Sequence, residues 1–291
     1  MQFLKTKSTT RMISIIIPLY NKAKSIIQTI ESIITQNYDN FEVIIVDDGS
    51  TDNGTSLIEP LHNKQISILK KTNGGPASAR NYGVLHASGE YIIFLDADDT
   101  LEPGALKKFA QIASEHPNCS FFCGNHYVRK NGKKRLFSTH FREGFVFDNF
   151  FAYHCRRLRA RAGTIMISRS LALKHPYNES YRRYEDADAI FAIMRNEKCY
   201  VTSTPVMTYN CDFGDASAPR KDINEDFLSH ISYKGKSCWE QLALFYLYQQ
   251  GTNSYPGQLE SIYSDKKMYN LKVRICSYII VFLEKIGYIR Y

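Results

Sequence analysis

Gly89-Glu90-Tyr91-Ile92-Ile93-Phe94-Leu95-Asp96-Ala97-Asp98-Asp99 decides the fold of this chain. Tyr91 to Leu95 is a short, continuous apolar run that is rich in aromatic and β-branched residues. Such a run reads as a strand buried on both faces, the kind found inside parallel sheets. It ends abruptly in acids, so a buried strand delivers carboxylates to a sheet edge. Two more segments upstream have the same shape. Ser14 to Ile17 is apolar, is expected to stop at Pro18, and leads into Leu19-Tyr20-Asn21. Phe41 to Val46 leads into Asp47-Asp48-Gly49-Ser50.

Helix-like segments separate these strands. Ala23 to Gln36 places Ile26, Ile27, Ile30, Ile33 and Ile34 on one face. Thr51 to Leu61 reads as a helix and Ile66 to Leu69 as a further strand. Asn73-Gly74-Gly75-Pro76 is a turn that releases a helix through Ala77 to Ala87, with Pro76 suited to the first helical position. Alternating strands and helices predict an α/β fold with a parallel sheet covered by helices on both faces. Ligands of such sheets bind at the carboxyl ends of the strands. Three acidic or polar loops are therefore expected on one rim. Carboxylates crowded there repel one another unless a cation sits among them. Helix capping accounts for Ser50 or Asp99, but not for all the acids. Asp96-x-Asp98 can address one hard divalent cation, Mg²⁺ or Mn²⁺, that shares its shell with phosphate oxygens and water.

Four blocks, in this order and spacing, resemble the family-2 inverting glycosyltransferases of GT-A fold: Ser14 to Asn21, Val46 to Asp52, Asn73 to Asn81 and Gly89 to Asp99. The likeness runs over about residues 12–115. Tyr184-Glu185-Asp186 is a looser fifth match, and beyond about residue 200 nothing is recognisable. The resemblance implies a GT-A domain over 12–215, with a Rossmann-like nucleotide-binding donor half over about 12–115 and a mixed acceptor half over about 116–215. A helical C-terminal extension over 216–291 follows. It also implies the roles of single residues. Pro18, Tyr20 and Asn21 would hold the uracil of a UDP-sugar, with Tyr20 stacked on the ring. Asp47 or Asp48 would accept the imide N–H, and Arg80 would offer a cation to the uridine or its phosphates. Asp96 and Ala97 would lie by the nucleotide, Asp98 would be the more direct ligand of Mn²⁺ or Mg²⁺, with Asp96 beside it, and Asp186 would be the general base, ahead of Glu185. A haloacid-dehalogenase-like phosphatase using Asp96 and Asp98, and a non-catalytic nucleotide-sugar binding module, are the rival readings. Against the first, three strands precede Asp96 and the Asp47-Asp48 block goes unexplained.

The rest of the chain bounds partners and compartment. The 291 residues are 44% hydrophobic and 23% charged, as in an ordinary globular protein. Met1 to Arg11 has no apolar leader core, no apolar run is long enough to span a bilayer, and seven cysteines lack framework spacing. A cytoplasmic location follows as the expectation, at most at the inner face of a membrane. Cys119-x₃-Cys123-x₂-His126 has loose metal spacing without an apparent fourth ligand and reads as buried thiols. The net charge is +8, but Arg129 to Arg183 holds fourteen Lys/Arg against three acids. This block reads either as a solvated basic face or as a surface for phosphate or anionic lipid, and no nucleic-acid recognition pattern accompanies it. In the tail, Met268, Leu271, Ile275, Ile279, Phe282 and Ile286 recur at helical spacing, accompanied by Lys266, Lys267, Lys272, Arg274, Lys285 and Arg290 against Glu284. This basic amphipathic helix would lie on a membrane or dock on protein, including a second copy in a homo-oligomer. A glycan or lipid-linked saccharide is the expected acceptor.

Overall fold

The computed structural model describes residues 11–62, 64–213 and 222–252, with seven further positions between 275 and 286. The chain runs β1 (Ile13–Leu19), α1 (Ile26–Ile34), β2 (Phe41–Asp47), α2 (Gly54–Ile58), β3 (Ile66–Lys70), α3 (Pro76–His86) and β4 (Tyr91–Phe94). Next come β5 (Thr100–Leu101), α4 (Ala105–Glu115), β6 (Phe121–Lys130), β7 (Lys133–Leu136), β8 (Gly144–Phe145) and α5 (Asn149–His154). The series closes with β9 (Ile165–Ser168), α6 (Arg169–Lys174), α7 (Glu185–Asn196), β10 (Cys199–Asn210) and α8 (Cys238–Thr252).

One sheet carries the order β3-β2-β1-β4-β9-β6-β10-β5, with β7 on β6 and β8 on β10. The first four strands are parallel, as the alternation of elements requires. β9 inserts antiparallel between β4 and β6 and makes the second half mixed. The side chains of β1 alternate between two apolar layers. Ile13, Ile15 and Ile17 face Ile26, Ile30 and Ile33 of α1 and Phe109 of α4. Ile16 faces the opposite layer, with Ala77 and Val84 of α3 and Ile190 of α7. Gly83 lets α3 approach β1 closely: a Cβ there would lie 2.4 Å from Cγ2 of Ile16.

Several local expectations change. Pro18 does not stop β1; the strand continues to Leu19. Ile16 accepts from Leu95 N, so the β4 side of β1 is the side of residues 16 and 18, and the pairing with β4 ends at Ile16. Pro18 therefore stands just past the end of the β1–β4 ladder, where its missing N–H interrupts no pair of that ladder. Thr51 to Leu61 is only a five-residue helix and a 3₁₀ turn, Glu59–Leu61. β10, twelve residues long, was not anticipated; its Pro205 sits at a register shift against β6, where a ladder bond is already lost.

Residues 222 onward begin with two 3₁₀ turns, Ile223–Glu225 and Phe227–His230, before α8. Ile280 packs on Cys155, at the end of α5, and on Leu242 of α8. Met268, Leu271 and the cations at 266, 267, 272, 274, 285 and 290 lie outside the described residues, as does the boundary placed near 215. Among the described residues no helix is long and apolar enough to cross a membrane.

Candidate active site

The loops after β1, β2 and β4 meet on one rim. Asn21 has φ +51 and turns the chain sharply after β1. Its Oδ1 accepts from Thr51 N at 2.8 Å and Asp52 N at 3.2 Å, which pins the β1 loop to the β2 loop. Lys22 then reaches across to Asp98 and pairs with its carboxylate. Tyr20, 48% exposed, leaves a ring face open to a flat ligand. Pro18, within β1 two residues earlier, is half-buried.

The two acids after β2 serve the loops themselves. Asp47 accepts from Ser50 N at 2.8 Å and from Thr55 Oγ1 at 2.6 Å. Burial alone would raise its carboxyl, but these donors outweigh burial and hold it below the ordinary value. Asp48 is 2% exposed. Its carboxylate takes Lys71 Nζ at 2.7 Å, Gly74 N at 2.9 Å and Gly75 N at 2.7 Å. It therefore clamps the Asn73-Gly74-Gly75 turn that starts α3. Gly75 suits glycine because its φ is +87, a backbone conformation that L side chains rarely adopt. These bonds give both acids a framework role alongside the nucleotide contact the resemblance implies.

Arg80 departs most from the sequence reading. Instead of opening onto the rim it is 4% exposed. It donates to Asp96 Oδ1 at 2.8 Å and to Glu185 Oε1 at 2.7 Å, and its guanidinium lies 5.1 Å from the Tyr177 ring centre. Its cation is spent on two carboxylates, one from each half of the domain. Burial raises the Asp96 carboxyl, but Arg80 overrides it and holds Asp96 below the ordinary value. Glu185, 7% exposed, is raised by burial and by its neighbour Asp186 in spite of Arg80. Glu185 is thus a buried ion-pair partner, and Asp186 is the more exposed acid of the two.

Asp186 lies in the first turn of α7, half-buried, with Oδ1 accepting from Ala187 N at 2.8 Å. Tyr184, at φ +54, reverses the chain just before it and aims the helix start at the rim. Burial, then the neighbouring Asp96, pushes the Asp98 carboxyl up against the pull of Lys22. Ala97 between them is buried at 3%. Asp99 leaves the rim: it is 1% exposed, its Oδ1 accepts from Asn210 N at 2.8 Å, and burial with Asp96 nearby raises it well above the carboxylate range.

The site therefore gathers Tyr20, Asn21, Asp96, Ala97, Asp98, Glu185 and Asp186, with Asp47, Asp48 and Arg80 as its frame. Lys22, Lys71, Arg161, Tyr177 and Arg182 were missed. Arg161 stacks on Tyr209 at 3.5 Å and feels the charges of Asp99 and Asp186. Only its place in the basic block hinted at it. That block is not one solvated face: Arg156, Arg159, Arg161 and Arg183 each lie over an aromatic ring. Cys123 is fully buried and its thiol is pushed up to about 12, and burial pushes His126 down to about 3. Among the described residues no three His, Cys, Asp or Glu converge as metal ligands. Asp96 and Asp98 are a two-carboxylate set, which fits a Mg²⁺-like ion that draws its other ligands from diphosphate and water.

A parallel sheet with an acidic rim, completed by a mixed half, defines a GT-A type α/β domain. Residues 14–183 match the family described as Glycosyl transferase family 2, and the chain belongs to that family. Family membership sets the phosphatase reading aside. A Rickettsia felis protein described as "Uncharacterized glycosyltransferase" is 35% identical over 176 residues, covering 60% of this chain and 29% of the relative. "Minor teichoic acid biosynthesis protein GgaA" of Bacillus subtilis is 31% identical over 203 residues, 65% of this chain and 44% of the relative. The crystal structure of S. aureus TarS 1-349 in complex with UDP-GlcNAc superposes with a TM-score of 0.65 at 21% identity, over 86% of this chain and 77% of that one. The chain spans less than half the length of these curated relatives.

Proposed function

We propose that the protein transfers a hexose or N-acetylhexosamine from a UDP-sugar to a hydroxyl of a glycan or lipid-linked acceptor, with inversion and with a divalent cation. The observation that carries this reading is Arg80, which ties Asp96 of the acidic loop to Glu185 beside Asp186. One buried cation thereby holds the metal-and-donor loop and the candidate base in one cluster. The relatives support the donor class: TarS of S. aureus is described as a poly(ribitol-phosphate) beta-N-acetylglucosaminyltransferase and is 37% identical over 108 residues. UDP-N-acetylglucosamine is accordingly the first donor to test, and a surface polymer the first acceptor.

Tyr20 stacks on the base, and the Asn21 loop fixes its height above the sheet. Asp186 takes the proton of the attacking hydroxyl as that oxygen bonds to the anomeric carbon and the bond to the diphosphate breaks, a gain of roughly 10²–10⁴ in rate. A cation held by Asp98 and Asp96 would supply charge neutralisation to the leaving diphosphate. No covalent enzyme intermediate is needed. The test is a thermal-shift panel of UDP-, GDP- and dTDP-sugars, each with and without Mn²⁺. Stabilisation by UDP-sugars that depends on Mn²⁺ and vanishes in Asp98→Ala supports the reading. Equal shifts with every base, or shifts indifferent to metal and to Asp98, overturn it.

A further inference from the structure

Asp98, the carboxylate assigned above to the metal, already has a counter-ion from its own chain, the ammonium of Lys22 on Oδ2. Both side chains are largely enclosed, at 22% and 19% exposure. The backbone of Lys22 is fixed: its carbonyl accepts from Ser25 N at 3.1 Å and Ile26 N at 3.0 Å, starting α1, and Asn21 before it is pinned to the β2 loop. Only the four-carbon side chain is left to move. Asp96, the other acid of the pair, is held by Arg80, which is itself locked onto Glu185. Of the two cations on these acids, the lysine is therefore the one able to leave.

We propose that Lys22 is a resident counter-ion that blocks the metal position on Asp98 until a nucleoside diphosphate arrives, and that it then swings to the phosphates. The proposal rests on the metal reading above and goes further, by assigning the order of events to one side chain. An ammonium and a divalent ion on one carboxylate repel each other, so without nucleotide they compete. A diphosphate brings enough negative charge for both: the metal takes Asp98 and the lysine takes phosphate oxygen. Metal and nucleotide then strengthen each other's binding by one common factor. Phosphate ligation of the metal couples them too, so the distinguishing quantity is metal affinity without nucleotide.

The experiment titrates MnCl₂ into the full chain by calorimetry, with and without UDP, for wild type and for Lys22→Met, with Lys22→Gln as second variant and thermal melts to verify folding. Freed of its competitor, Asp98 should bind Mn²⁺ about fivefold more tightly in the variants when nucleotide is absent, the scale of one partly exposed ion pair. With UDP present the difference should fall to within about twofold, because the lysine has then moved away. Metal-free UDP should bind the variants about threefold more weakly while uridine binds as before, since only the phosphates meet the lysine. Nucleotide-free Mn²⁺ affinity that is unchanged or weaker in both variants overturns the proposal and leaves the metal reading standing. Failure of wild type to bind Mn²⁺ even with UDP overturns the metal reading, and the proposal with it.

Discussion

At the scale of single residues, the site divides carboxylates left partly exposed from carboxylates that are consumed by the fold. Glu185 and Asp186 are adjacent in sequence, yet Glu185 is buried on Arg80 and Asp186 is half-buried with one local bond. Asp186→Asn should therefore lower transfer by roughly 10²–10⁴ while UDP affinity stays within a factor of about two, as for a general base that does not hold the donor. Steady-state kinetics beside calorimetry check this, and full activity in the variant removes Asp186 from that role. Asp47 makes a different prediction. Its folded carboxyl titrates below its ordinary value, so the stability it contributes is complete above about pH 4 and drains away as pH falls through the folded value. Asp47→Asn should be less stable at neutral pH and show a flatter acid limb below about pH 4 in urea titrations across pH. Parallel limbs in the two proteins would contradict the assignment.

At the scale of elements, the rim depends on how closely helices approach the sheet. α3 carries Arg80 toward Asp96 only because Gly83 presses against Ile16 of β1. Gly83→Ala places a methyl inside that contact and should cost about 1–3 kcal/mol, as overpacked cores do. Chemical denaturation measures it, and the same variant should weaken nucleotide binding by shifting Arg80. A Gly83→Ala protein of wild-type stability would mean that α3 is free to retreat. The regular β1, α1 and β4 segments were legible because burial on both faces leaves an unbroken apolar run and a one-sided helix leaves a stripe. β10 was not, because Pro205 interrupts it and its Thr and Ser residues dilute the apolar signal. It pairs with β6 on one side and β5 on the other, with register shifts against β6 around the proline.

At the scale of the whole molecule, the parallel first half of the domain and the mixed second half join through a charge triad centred on buried Arg80. Asp96, Arg80 and Glu185 link residues more than a hundred positions apart. Arg80→Ala leaves Glu185 buried without its cation, which typically costs about 3–5 kcal/mol. The urea midpoint should fall accordingly, and the loss should shrink when Glu185→Gln is added, because the stranded charge is then removed. Additive losses in the double variant would show that the triad does not couple the halves. The basic block behaves at this scale too. Its arginines lie over aromatic rings scattered through the acceptor half, so its charge is divided among internal contacts as well as solvent.

Sequence alone determined the parallel part of the sheet and the meeting of the Asn21, Asp48 and Asp98 loops on one rim. These follow from local facts: a buried parallel strand advertises itself by composition, and its carboxyl end is where its loop must emerge. Tertiary structure decided which of the gathered charges remain available. Lys22 on Asp98, Lys71 on Asp48 and Arg80 between Asp96 and Glu185 are pairings set by distances across the fold. An ion pair needs its partners within a few ångströms, and no spacing along the chain encodes which cation a folded rim brings within that reach.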